Sequence, residues 1–164
     1  MKIILASTSP RRKELLEREG IDFIIDASSI TEYLDSSLEI EERLKKLAYD
    51  KGISIHEKYP DDVVISADTT IYHNGKIIGK AHSAHEAREI LESLSSDTHS
   101  VFTSVAVFYK DQVCTFVDET KVTFKNISDM IDDYLSIDEW QGKAGAYAIQ
   151  GVAGKFIEEV QGDI

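Results

Sequence analysis

The sequence predicts an α/β protein built on one mixed, twisted β-sheet with flanking helices. Three observations carry that prediction. Short runs rich in Val, Ile and Phe alternate along the chain with longer helical runs. Two pairs of those runs are joined by tight turns, which makes part of the sheet antiparallel. The 164 residues include only two prolines and no low-complexity tract or repeat, so one domain is expected and no linker.

Taken in order, residues 2–6 read as a buried first strand. Ser9-Pro10 then combines an N-cap with proline at the first helical position, and Gly20 closes that helix. Residues 39–51 form a second helix, with Gly52 as its expected cap. Val63 to Ala67 is an apolar strand that runs directly into Asp68. Asn74-Gly75, set between Ile71-Tyr72 and Lys76-Ile77-Ile78, signals a type I′ hairpin. Ser83 and Glu86 form a capping box for a helix ending near Leu94. Val101–Tyr109 and Val113–Val117 read as an antiparallel pair turning at Lys110-Asp111. Ser128 is the expected cap of a helix ending near Leu135. A Gly/Ala-rich loop over 141–151 and a last strand over Phe156–Val160 complete the chain.

Composition excludes several function classes. Lys and Arg total 18 against 30 Asp and Glu, a formal charge of −12. So acidic a chain does not bind DNA, RNA or an anionic membrane non-specifically, because phosphate contacts need a basic face. One compact basic site is still compatible with it. Cys114 is the only cysteine, which excludes an intramolecular disulfide and argues for a reducing compartment. No apolar stretch approaches the ~20 residues of a membrane span. The N-terminal Met1-Lys-Ile-Ile-Leu-Ala is too short for the core of a signal peptide and reads as the first strand of a cytoplasmic protein.

Three places break local rules. Residues 1–13 hold Lys2, Arg11, Arg12 and Lys13 and no acid, a local charge of +4 that leaves −16 for the remainder. Cations at a helix N-terminus oppose the macrodipole unless an anion sits among them. With free N–H groups and the hydroxyls of Ser7 and Ser9, they make a phosphate cradle. The alternative is a solvated patch offset by Glu14 and Glu17, one turn on. Lys51 continues the apolar stripe Ile40, Leu44, Leu47 and Ala48. It either snorkels past the helix end or meets a negative group in a cleft. Third, Asp68-Thr69-Thr70 follows an interior strand, and ligands of α/β sheets bind beyond carboxyl ends of strands. An Asp capping a turn is the equal alternative. Gly79-Lys80 adds a cation after the hairpin.

Other motifs fail. Gly75-Lys-Ile-Ile-Gly79-Lys80-Ala81 has too few residues between its glycines for a P-loop and lacks the Ser/Thr that holds magnesium. There is no Gly-x-Gly-x-x-Gly. His82 and His85 lack further zinc ligands, and no serine sits in a nucleophile elbow.

Taken together, the motifs resemble the Maf family of nucleoside triphosphate pyrophosphatases, also called septum-formation inhibitor proteins. The resemblance runs through Ser7-x-Ser9-Pro10-Arg11-Arg12, Glu32, Ala48-x-x-Lys51, Ala67-Asp68-Thr69, Gly79-Lys80, His99-Ser-Val-x-Thr103 and Lys143-Ala-Gly-Ala-Tyr-Ala-Ile-Gln150-Gly151, in the family's order. The Ala-Asp-Thr and Tyr-Ala-Ile-Gln blocks resemble the branch acting on dTTP and UTP rather than 7-methyl-GTP. Two departures stand out. Glu32 follows Thr31 where the family usually has Asp, and the chain stops at Ile164 where members usually continue through a Gly-Leu-Pro segment. One family domain over 1–164 with a shortened C-terminal end is therefore expected, in an ITPase-like architecture with an elongated cleft.

The resemblance implies hydrolysis between the α- and β-phosphates of a nucleoside triphosphate, giving the monophosphate and pyrophosphate. Lys51 and Lys80, together with Arg11 and Arg12, would neutralise the triphosphate while Ser7 and Ser9 supply directed donors. Glu32 and Asp68 would hold a divalent cation, Mg²⁺ with Mn²⁺ or Co²⁺ as substitutes. Asp68 would act as base or as metal ligand. Thr69 and Gln150 would read the pyrimidine edge, since a glutamine offers both donor and acceptor. The expected partner is the nucleotide, not a nucleic acid or membrane, and a homodimer is left open. The rival reading is a non-catalytic nucleotide-binding regulator of cell division, which would need the cradle but not Asp68 with Glu32.

Overall fold

A computed structural model describes residues 1–27, 37–148 and 150–162, and Glu32 lies outside them. The fold is α/β. Its seven-stranded sheet comprises β1 (Ile3–Leu5), β2 (Ile24–Ile25), β3 (Val63–His73), β4 (Lys76–Ile78), β5 (Thr98–Tyr109), β6 (Gln112–Phe124) and β7 (Ile157–Gln161), in the order β2-β1-β3-β5-β6-β7 with β4 on β3. The sheet is mixed as expected: β1 runs parallel to β2 and β3, whereas the β3–β4 and β6–β7 pairs are antiparallel. The main helices are α1 (Pro10–Arg18), α2 (Ile40–Lys58), α3 (Ala84–Leu94) and the short α4 (Ile131–Leu135). Among the described residues no helix is long and apolar enough to cross a membrane.

The chain divides into two compact units, one of residues 1–68 with 103–118 and the other of 69–102 with 119–164. The core of the first unit gathers Ile4, Ala48, Ile55, Val64, Ala106 and Phe108, so α2 lies on strands β1, β3 and β5. Its α1 begins as its sequence dictates: the Ser9 hydroxyl accepts from the Arg12 amide at 3.4 Å, Pro10 takes the first turn, and Gly20 follows the helix at φ +72°. Strand β2 carries no sequence signal, since two residues are too few to show a period of two.

Helix α2 departs from expectation. It does not stop at Gly52 but continues to Lys58, with Gly52 buried inside it. The glycine serves contact and not termination: a Cβ there would lie 2.4 Å from Phe108 Cε2 and 2.5 Å from Ser66 Oγ. Strand β3 likewise does not end before Asp68 but runs on to His73. Its parallel ladder with β1 covers only Val63 to Ile65, so Asp68 sits beyond the end of β1 although it lies mid-strand in β3.

The second unit is centred on Leu91, Leu94, Phe124, Ile131, Tyr134 and Phe156. Both turn residues of its hairpin have positive φ, Asn74 at 51° and Gly75 at 77°, as a type I′ turn requires. The Ser83 hydroxyl accepts from the Glu86 amide at 3.1 Å, while the Glu86 carboxylate accepts from the His82 amide at 3.2 Å, one residue earlier than in the ideal box. Ser128 does not cap α4. Its amide and hydroxyl both donate to Asn126 Oδ1, a local turn that competes with capping, and Met130 precedes the helix.

Candidate functional site

In the first unit, the end of β1 and the start of α1 build a polar corner around Ser7. The Ser7 hydroxyl is buried and accepts from Arg12 Nη1 at 2.8 Å and from the Ser9 amide at 3.2 Å. The three cations of this turn separate by role. Arg11 pairs with Glu14 at 3.6 Å and Lys13 with Glu17 at 3.7 Å, both on the surface. Such exposed pairs are worth a few tenths of a kcal/mol to about 1 kcal/mol. Arg12 alone turns inward. Burial lowers its pKa by disfavouring the charged guanidinium, and the negative charge of Asp68 opposes that shift. The Ser9 side chain is engaged with the backbone as the helix cap.

Asp68 lies in the same unit. Its Oδ1 accepts from Lys51 Nζ at 2.6 Å, with the two side chains only 12% and 21% exposed. Of the two outcomes open to Lys51, the structure shows the second: it meets a carboxylate. The registration of this pair is set by a contact that sequence reasoning missed. Ser66 Oγ donates to the Ala48 carbonyl at 2.6 Å in the interior. Ser66 precedes Asp68 by two residues, one pleat repeat of a strand, and Ala48 precedes Lys51 by three, nearly one helical turn. The buried hydroxyl therefore fixes α2 on β3 in the register that sets Lys51 against Asp68, and Gly52 lets the helix come close enough. The available signal was a serine inside the apolar run Val63-Val-Ile-Ser-Ala, with the polar spacing of two leading to Asp68.

In the second unit, Thr69 is exposed on β3. Lys80 is exposed and forms an isolated antiparallel bridge with Ala144, next to a bond from the Gly145 amide to the Gly79 carbonyl at 3.1 Å. The Gly/Ala-rich loop that carries Gln150 is held at further points. Tyr134 OH donates to the Ala146 carbonyl at 2.8 Å, and His99 Nε2 lies 2.5 Å from Tyr147 OH. Burial lowers the His99 pKa to about 4, with the nearby His73 charge adding to the shift and Asp97 opposing it. Burial also raises that of the Tyr147 phenol. Both groups are therefore neutral near neutral pH, a phenol and an imidazole sharing one buried hydrogen bond. Gln150 itself is exposed.

The arrangement around Ser7, Arg12, Lys51 and Asp68 pairs an inward guanidinium and an ammonium with a carboxylate. Those are the groups that bind a polyanion and orient or deprotonate a water.

A family model described as Maf-like protein matches residues 2–164. The chain is 43% identical over 162 residues to a dTTP/UTP pyrophosphatase of Pyrococcus abyssi, covering 98% of this chain and 86% of that protein. It is 41% identical over 163 residues to a dTTP/UTP pyrophosphatase of Bacillus cereus strain ZK, covering 99% and 85%. A Pyrococcus furiosus dTTP/UTP pyrophosphatase is 40% identical over 163 residues, with the same two coverages of 99% and 85%.

Proposed function

The chain belongs to the Maf-like protein family, and from that premise we propose that it is a cytoplasmic pyrophosphatase hydrolysing dTTP and UTP between the α- and β-phosphates. The observation that carries this reading is the Lys51–Asp68 pair at 2.6 Å in the unit that also turns Arg12 inward to Ser7. A regulator that only bound nucleotide would need the cations but not the shielded carboxylate.

Each residue has a role in this proposal. Arg12 takes a phosphate group with its planar fork, and the Ser7 hydroxyl it now contacts aims it. Lys51 orients Asp68 and offers a point charge to developing negative charge on the phosphates. Asp68 receives the proton of the attacking water or holds a divalent cation. Lys80 and Arg11 add counter-charge to the triphosphate, Ser9 shapes the turn that bears Arg12, and Thr69 and Gln150 read the pyrimidine edge.

The donor chemistry fits a hard divalent cation, with Mg²⁺ as the expected ion and Mn²⁺ or Co²⁺ as substitutes. Mg²⁺ is held in nucleotide enzymes by one or two carboxylates, the rest of its shell being water and phosphate oxygens. Asp68 supplies one such carboxylate and Glu32, outside the described residues, is proposed as the other. The ion would polarise the α-phosphate and lower the pKa of a bound water.

Incubation with Mg²⁺ and each of dTTP, UTP, CTP, ATP, GTP and 7-methyl-GTP, with separation of the products, tests the reading. Monophosphate plus pyrophosphate from dTTP or UTP is expected. Diphosphate plus phosphate would put the cleaved bond elsewhere, and binding without turnover would favour a regulator. Arg12→Ala should lower kcat/KM for dTTP by roughly 10², the scale of losing one charge-stabilising donor. Arg12→Lys should recover only part of it, because the ammonium lacks the fork. Undiminished kcat/KM in Arg12→Ala would remove that residue from the site.

A further inference from the structure

We propose that Glu139 is a positioning residue that presents Gln150 to the nucleobase, an inference that rests on the reading of Gln150 above. Glu139 lies in a short 3-10 turn, Asp138–Trp140, anchored by the buried indole of Trp140. Its Oε1 accepts from the Val152 amide at 2.8 Å, thirteen residues further on. Val152 opens the 3-10 helix Val152–Phe156, whose Ala153 and Phe156 are buried and whose flanking Gly151 has no side chain with which to cap it. The glutamate thus does from a distance what a local cap cannot.

The geometry at Gly151 reinforces this. A Cβ at that position would fall 1.4 Å from Glu139 Oε1 and 2.6 Å from its Cδ. The backbone of Gly151 is not left-handed, with φ at −101°, so conformation does not demand glycine there. The Glu139 carboxylate occupies the space of the missing side chain and would have to move for a Cβ to fit. Gln150 therefore stands two residues before the amide that Glu139 holds. Exposed glutamine side chains lose rotamer entropy when they engage a ligand, and fixing the backbone beneath one reduces what must be ordered on binding.

The test is a set of variants assayed for kcat and KM on dTTP, UTP, CTP and ATP, with Tm recorded for each. Glu139→Ala should raise KM for dTTP and UTP about tenfold while changing kcat little, so that their advantage over ATP shrinks toward that of Gln150→Ala. Glu139→Gln, which keeps an acceptor oxygen, should retain most of the preference. Gly151→Ala should reproduce Glu139→Ala, because its methyl group evicts the carboxylate, and should add nothing in a Glu139→Ala background. If Gln150→Ala leaves base preference unchanged, the reading of Gln150 fails, and the present inference with it. If Gln150→Ala abolishes the preference but Glu139→Ala keeps it, the reading of Gln150 survives and the positioning role is overturned. Equal losses on all nucleotides together with a lowered Tm in Glu139→Ala would also overturn it, since that is the signature of a purely structural cap.

Discussion

Asp68→Asn is expected to lower kcat on dTTP and UTP by about 10² or more, equivalent to about 2.7 kcal/mol of barrier. The substitution keeps the volume and one carbonyl oxygen for Lys51 while removing the charge that both proposed roles of Asp68 require. Shape is retained, but the mostly buried Lys51 ammonium loses its counter-charge, so Tm should fall as well and is recorded beside kcat. The loss should then sit in kcat, with modest change in KM if Arg12 and Lys51 still bind the phosphates. Turnover under saturating Mg²⁺ and nucleotide is the measurement. Near-normal kcat would exclude Asp68 from the chemistry.

The second large effect is on stability. Gly52→Ala should destabilise the protein by about 1–3 kcal/mol, the usual cost of forcing an extra methyl group into a packed interior. Helix propensity alone predicts the opposite sign, since alanine is favoured over glycine by about 1 kcal/mol in a helix. The contacts decide between them. The new Cβ would meet Phe108 Cε2 at 2.4 Å and Ser66 Oγ at 2.5 Å, and the Ser66 hydroxyl is already committed to the Ala48 carbonyl. Neither neighbour can give way cheaply, so α2 must lift from β3. Lys51 adjoins Gly52, and lifting the helix would lengthen its 2.6 Å contact with Asp68. A fall in Tm of about 2–4 °C per kcal/mol is therefore expected together with a drop in kcat. A raised Tm would show that the helix accommodates the methyl group.

The reach of sequence reasoning differed from element to element. The Ser9-Pro10 start, the Asn74-Gly75 turn and the Ser83 cap were readable because each depends on residues within four positions of one another, where backbone sterics and a single side-chain bond decide the outcome. The inward Lys51 was readable as an anomaly, since a charge on an apolar stripe is visible without any partner. Gly52 and Ser128 misled for a shared reason. Glycine after a helical run and serine before one are genuine boundary signals, yet a distant ring and hydroxyl claimed the first and a neighbouring Asn126 claimed the second.

Fold class, family and the residue types of the candidate site follow from local propensity and ordered motifs, which need no knowledge of what packs where. Packing chooses the partner of each inward cation. Arg12, and not Arg11 or Lys13, turns inward to Ser7, and Lys51 finds Asp68 seventeen residues on. Packing also decides that Ser66 sets the register of α2 on β3 and that Glu139 fills the space above Gly151. The Lys51–Asp68, Ser66–Ala48 and Glu139–Gly151 contacts join residues far apart in the chain. Burial fixes them when the helix settles on the sheet and the loop closes, and no sequence spacing records that event.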